Sequence, residues 1–277
     1  MAHTLNLLRP QPHITFDEAA HSYAYNSTTR GLLYPSSTTQ VLTISGAKAF
    51  DTTHWHRSLL RRGLLPHEAD TYMERHRNTR ADIGTELHDM IRATLLGLPY
   101  HPPKHAETLL LHATWRDQFL PHIDTVYLCE VPLCSLWGFY TGTPDLLARM
   151  ADGTLLLLDW KTKASADKAK PEASWALQLG GYSGLVQDAY NLLPDAAANL
   201  MVWPGGCSLV QYPAADLALA QTRFYGALRQ HHQLRTAQGC TTHALALQHV
   251  DAAIAQRGYT PAQLDYLGTN TPTPATP

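Results

Sequence analysis

Asp145, Asp159 and Lys161 are the residues of this chain whose types and spacing could act on a phosphate. Gly142-Thr-Pro-Asp145 precedes an Asp152-Gly153 turn, and Leu158-Asp159-Trp160-Lys161-Thr162 follows it. Two neighbouring carboxylates repel each other unless a cation lies between them, and hard oxygen ligands suit Mg2+ or Mn2+. Such an ion polarises a scissile phosphate, lowers the pKa of a bound water and offsets charge in an in-line displacement. Lys161 would orient the attacking water and stabilise the developing negative charge. Taken alone, the D-x-K triplet recurs by chance, and a solvated strand end with scattered charges explains it as well.

Whether the acids meet depends on a hairpin. Residues 143–150 and 154–161 are strand-length, largely apolar runs separated by Ala151-Asp152-Gly153. A three-residue loop closed by a glycine in the left-handed region places Met150 opposite Thr154 and Asp145 opposite Asp159. A two-residue loop would pair Asp145 with Trp160 and throw the carboxylates onto opposite faces. The proposed chemistry requires the longer loop. In either register Asp159 and Lys161 share a face and Trp160 points into packing.

Further motifs surround the hairpin: Gly84-Thr-Glu-Leu-His88 and Glu130-Val-Pro before it, Gln178-Leu-Gly-Gly-Tyr182 after it. The order GxxxH, E, GxxD, DxKT, QxxxY resembles the PD-(D/E)xK nucleases of the RecB type. Within them it is most similar to the group of the mitochondrial genome maintenance exonuclease and its phage relatives. Pro35-Ser-Ser-Thr-Thr-Gln-Val-Leu42 matches the PS-x-T-x-x-L segment of that group, and the likeness runs over roughly residues 13–232. The resemblance implies an α/β restriction-endonuclease-like core, a mixed central sheet flanked by helices, with a helical N-terminal insert. It implies an Mg2+- or Mn2+-dependent deoxyribonuclease, an exonuclease acting on single-stranded DNA ends. Asp145 and Asp159 would bind the metal with the Trp160 backbone carbonyl and His88, and Glu130 would be a neighbouring or second-metal ligand. Gln178 and Tyr182 would position substrate or water. Alternatives are a structure-specific or nicking endonuclease on the same core, a catalytically lapsed DNA-binding or recombination partner, and a metal-binding regulatory module. A recombination or replication protein is the expected protein partner, and the oligomeric state is open.

At 277 residues, 44% hydrophobic and 16% charged, the composition is that of a globular chain. A net charge of −2 does not advertise nucleic-acid binding, so any such surface must be a local basic patch. No apolar run approaches the ~20 residues of a membrane helix, so no membrane contact is expected. A start without a hydrophobic signal core, and a folded pattern beginning by His13, favour a cytoplasmic protein of bacterial or phage origin. Cys129, Cys134, Cys207 and Cys240 contain no CxxC pair, with Cys129 and Cys134 on opposite faces of one strand, so no iron–sulfur cluster is expected.

In chain order, His13–Phe16 and His21–Tyr25 alternate around Asp17-Glu18 as a small hairpin. Pro35-Ser36-Ser37 starts a helix, and Ser36 or Ser37 either simply caps it or also donates to a DNA phosphate. Residues 51–98 are helical, interrupted by Gly63-Leu-Leu-Pro66 and by Asn78-Thr79. Arg57, Arg61 and Arg62, then Arg75, Arg77 and Arg80, interleave with Trp55 and Tyr72, as a single-strand channel arching over the site or as a solvated helix face. His88, four residues after Gly84 on the next helix, could ligate the metal from the side opposite the carboxylates, which would suit Mn2+. The His54/His56 and His231/His232 pairs lack cysteines at zinc spacing and receive no metal role. Another helix is expected over 102–120, with apolar Leu109, Leu110 and Trp115, and a strand over 125–133 carrying Glu130. Lys163, Lys168 and Lys170 lie in a polar loop that contacts phosphate or is merely solvated. A helix over 172–190 carries Gln178 and Tyr182, a second hairpin spans 199–212, and helices cover 214–233 and 241–256. The expected divisions are 1–50 (hairpin and first helix), 51–122 (helical insert), 123–235 (core), 236–268 (helical extension) and 269–277 (proline- and threonine-rich disordered tail).

Overall fold

A computed structural model describes residues 3–17, 20, 22–47 and 52–267. Glu18, His21, Asp51 and the 269–277 tail lie outside the described residues. The chain begins with β1 (Thr4–Leu5), then β2 (Ile14–Asp17), β3 (Ser22–Ser27), β4 (Gly31–Leu33), β5 (Ser36–Ser37) and α1 (Thr38–Ile44). Helices α2 (Thr53–Arg61), α3 (Pro66–Leu96) and α4 (Ala106–Gln118) precede strands β6 (Ile123–Cys129), β7 (Leu133–Ser135), β8 (Tyr140–Gly142), β9 (Leu146–Met150) and β10 (Leu155–Thr162). Then come α5 (Ala173–Tyr190), β11 (Ala196–Trp203), β12 (Gly206–Pro213), α6 (Ala214–Ala237), α7 (Thr241–Arg257) and α8 (Pro261–Leu264).

The architecture is α/β. A six-stranded mixed sheet, ordered β1-β6-β9-β10-β11-β12, is covered by helices on both faces. Strands β1/β6 and β10/β11 run parallel and the other pairs antiparallel. β10 reads Leu155-Leu-Leu-Leu158 because a central strand must be apolar toward both layers. Leu156, Leu158 and Trp160 pack with Leu87, Ile91 and Trp115 of α3 and α4, while Leu157 packs with Leu179 and Leu185 of α5. Two three-stranded sheets, β2-β3-β4 and β5-β8-β7, lie beside the main one.

Several expectations need correction. The fold does not wait for His13: Thr4 and Leu5 pair with Thr125 and Val126, because an edge strand needs few residues and no alternating pattern. No break occurs at Asn78-Thr79; α3 is one helix of 31 residues, interior propensities being weaker than continuity of the hydrogen-bond ladder. α4 starts at Ala106, past the Pro102-Pro103 pair, and its Leu109 and Leu110 are exposed rather than core. β6 stops at Cys129, so Glu130 is not a strand residue, and Cys129 and Cys134 belong to strands of different sheets. The short α8 was not expected. Among the described residues, no helix is long and apolar enough to cross a membrane.

Helix α5 reaches α6 through glycine. A Cβ at Gly180 would strike the Ala220 carbonyl and lie 2.5 Å from the Gln221 amide, neither of which can rotate away. Gly180→Ala is therefore expected to destabilise by about 2 kcal/mol, the overpacking cost exceeding alanine's ~1 kcal/mol helix-propensity gain. Urea unfolding measures it; an unchanged or raised midpoint would show that the helices can separate freely.

Candidate metal centre

The hairpin takes the longer-loop register. Leu155 pairs with Arg149 and Leu158 with Leu146, Met150 N–H donates to the Thr154 carbonyl at 2.8 Å, and Gly153 has φ +90°. Continuing that ladder sets Asp145 opposite Asp159, on the α5 side with Leu157, and turns Trp160 into the opposite layer beside Trp115 and Phe119. Asp145 itself lies just before β9 and is tied across by its side chain, its Oδ2 accepting the Trp160 N–H at 2.6 Å.

Glu130 enters by a backbone turn. Its φ of +52° swings the chain out of β6, and its amide donates to the Asp145 carbonyl at 3.1 Å. Its carboxylate meets His88 Nδ1 at 2.7 Å, and the same nitrogen lies 3.7 Å from Asp145 Oδ1. His88 is delivered by α3, which runs close to β10 at Gly84: a Cβ there would lie 3.8 Å from Thr162 Oγ1. Gly142 is required by another neighbour, since a Cβ would fall 2.7 Å from the Tyr182 ring.

Asp159 is 2% exposed and doubly held, Oδ2 accepting from Lys161 Nζ at 2.6 Å and from Asn199 Nδ2 at 2.8 Å. Lys161 also reaches Gln178 Oε1 at 3.3 Å, and Gln178 Nε2 donates to the Tyr182 hydroxyl at 2.9 Å. Lys163 stands alongside, 4.6 Å from the Trp175 ring, with Lys161 5.7 Å from the same ring. Asp145, Asp159, Lys161, His88, Glu130, Gln178 and Tyr182 thus form one connected set.

Sequence reasoning missed Asn199, directly across the parallel β10/β11 register from Asp159. Its signal was a lone polar residue inside the buried run Ala196–Trp203. Tyr23 was also missed: its hydroxyl meets Thr143 Oγ1 at 2.8 Å, tying β3 to the loop before Asp145.

The serines are engaged elsewhere. Ser36 is buried and its hydroxyl meets His231 Nε2 at 2.9 Å, so its expected phosphate contact is not available. Ser37 caps α1, its hydroxyl accepting the Gln40 amide while its own amide donates to Gln40 Oε1. Arg57 and Arg61 are exposed on α2, and Arg80 pairs with Glu107 at 2.6 Å.

Electrostatics disclose the demand for a cation. Burial drives the Asp145 carboxyl well above the usual carboxylate range; His88 pulls it back, and Glu130 and Asp159 push it further up. Burial alone would lower His88, yet the carboxylates of Asp145, Glu130 and Asp159 raise it to about 10. Burial likewise opposes the charge on Lys161, and Asp159 and Asp145 overcome it. His88, Glu130 and Asp145 each offer a ligand atom within 4.8 Å of the others. Crowded acids beside an imidazolium could hold a hard divalent ion, which would take over the charge that His88 carries.

No protein-family model matches the chain, and no curated protein is found to match it.

Proposed function

We propose that this chain is a metal-dependent deoxyribonuclease with a PD-(D/E)xK core, acting as an exonuclease at single-stranded DNA ends. The observation that carries the reading is Asp145, bonded to the Trp160 amide one step beyond the Leu146–Leu158 pair, which continues the ladder to the side of Asp159 and its partner Lys161. Asp145, Asp159 and the Trp160 carbonyl would hold Mg2+ or Mn2+, with His88 after it loses its proton, and Glu130 beside them. The ion would supply Lewis-acid polarisation of the phosphate and a readily deprotonated water. Lys161, kept charged by its acids, acts as a donor: its ammonium orients the nucleophile and faces the negative charge that builds on the phosphate. Gln178 and Tyr182 fix the Lys161 ammonium from the α5 side. Asn199 keeps the Asp159 carboxylate in one orientation. Exposed Arg57 and Arg61 of α2 and Arg75 and Arg77 of α3, helices that also carry the clustered Trp55, Tyr72 and His76 rings, support a surface for single-stranded backbone and bases.

The test is digestion of end-labelled linear and circular DNA, single- and double-stranded, with Mg2+, Mn2+ or chelator. Single-stranded linear DNA is expected to be shortened from its ends with either metal, and chelator to abolish the activity. Cleavage of circular single strands would replace the exonuclease reading with an endonuclease. Inertness on every substrate would leave a DNA-binding protein without turnover.

A further inference from the structure

We propose a second metal site, independent of the nuclease reading: a buried three-imidazole centre for a borderline transition ion of the Zn2+ class, formed by His231, His232 and His243. The adjacent His231-His232 pair of α6 gave no metal spacing along the chain, but α7 folds back and brings His243 to it. One ring nitrogen from each lies within 4.8 Å of the others, and the three side chains are 0%, 0% and 6% exposed.

The hydrogen bonds set His232 and His243 nitrogen to nitrogen and leave one His231 nitrogen without a partner. His232 Nε2 faces the Gly138 carbonyl at 2.8 Å, so that nitrogen carries the proton and Nδ1 presents a lone pair. This is the outer-sphere contact that orients a ligating histidine. His232 Nδ1 lies 2.8 Å from His243 Nδ1, so without an ion His243 must supply the proton between them. His231 binds Ser36 through Nε2, and its Nδ1 is buried without any hydrogen-bond partner. The buried His231 Nδ1 without a partner is costly in a purely structural core. It is resolved if all three donate to one ion. With bonds of about 2.0–2.1 Å in tetrahedral geometry, the paired nitrogens need separate only to about 3.3 Å. Burial and the neighbouring rings hold His231 down to about 3 and His243 to about 4, with Arg235 adding to both, so the imidazoles are neutral as ligands must be. The donor set is nitrogen without carboxylate, which suits Zn2+ or Co2+ over Mg2+. The ion would pin α7 to α6 and to the Gly138 turn.

Titration of the full chain with Co2+ tests this, in the natural sequence and with Asp145→Asn and Asp159→Asn together to silence the carboxylate centre. The doubly substituted chain is expected to bind one Co2+ with intense visible bands of low coordination number and imidazole scattering in X-ray absorption, and the natural sequence to show the same bands. Zn2+ should displace the Co2+ and raise the thermal midpoint. His243→Gln should weaken Co2+ binding at least about tenfold. Should that variant fail to fold, the spectra of the doubly substituted chain decide. No Co2+ retained by the doubly substituted chain, a spectrum without imidazole nitrogen, or affinity unchanged in a folded His243→Gln would each overturn the site.

Discussion

Asp159→Asn and Lys161→Ala are each expected to lower metal-dependent DNA cleavage by on the order of 10³-fold, the scale of losing a preorganised charge at the reacting phosphate. Asp159 is the acid of the pair most tightly built in: Lys161 and Asn199 both grip its Oδ2. An amide of the same shape keeps the packing but removes the charge that holds the cation and the ammonium. Lys161→Ala removes the only ammonium bonded to both Asp159 and Gln178 among the described residues. The fold should survive both changes, since neither side chain belongs to the apolar layers. Initial rates on end-labelled single strands with Mg2+ or Mn2+, alongside circular dichroism, measure the effect. Folded Lys161→Ala protein that still cleaves at more than a tenth of the parent rate would remove lysine from the chemistry.

Trp160→Ala is expected to destabilise by about 3–5 kcal/mol, the range for truncating a fully buried large aromatic. Trp160 is 2% exposed and packs edge-on against Trp115 and Phe119, with ring centroids at 6.1 and 5.9 Å. Its indole N–H is buried without a partner, so Trp160→Phe removes an unsatisfied donor along with some volume. That milder change should cost about 1 kcal/mol, well short of alanine. Guanidinium unfolding of the two variants separates the cases. Equal losses would mean that the indole nitrogen, not the ring volume, is what matters.

The centre was legible where local rules suffice. The turn allows two registers and the proposed chemistry selects the three-residue loop that the structure has, while period-2 alternation assigns Lys161 and Trp160 to opposite sides in either. Helical spacing puts Gln178 and Tyr182 on one face, but only the family resemblance singles them out. Contacts between elements distant in the chain were not legible. Asn199 is brought to Asp159 by a parallel pairing across the whole of α5, and Ser36 is taken up by a histidine 195 residues away. Glu130 bends into place through a positive φ that nothing in Glu130-Val-Pro announces. Strand β1 was invisible for a related reason, because two residues at a sheet edge carry no pattern.

The unbroken span of α3 has a mechanical meaning. At 1.5 Å per residue, Arg75 and Arg77 stand about 16–20 Å along the same rod from His88, with no joint between them. A strand gripped at the outer end would load the lever rather than a floppy arm, and tilting that end would move the imidazole. Under the proposed function, engagement of an incoming polymer and readiness of the cation cage would be geared together by one helix.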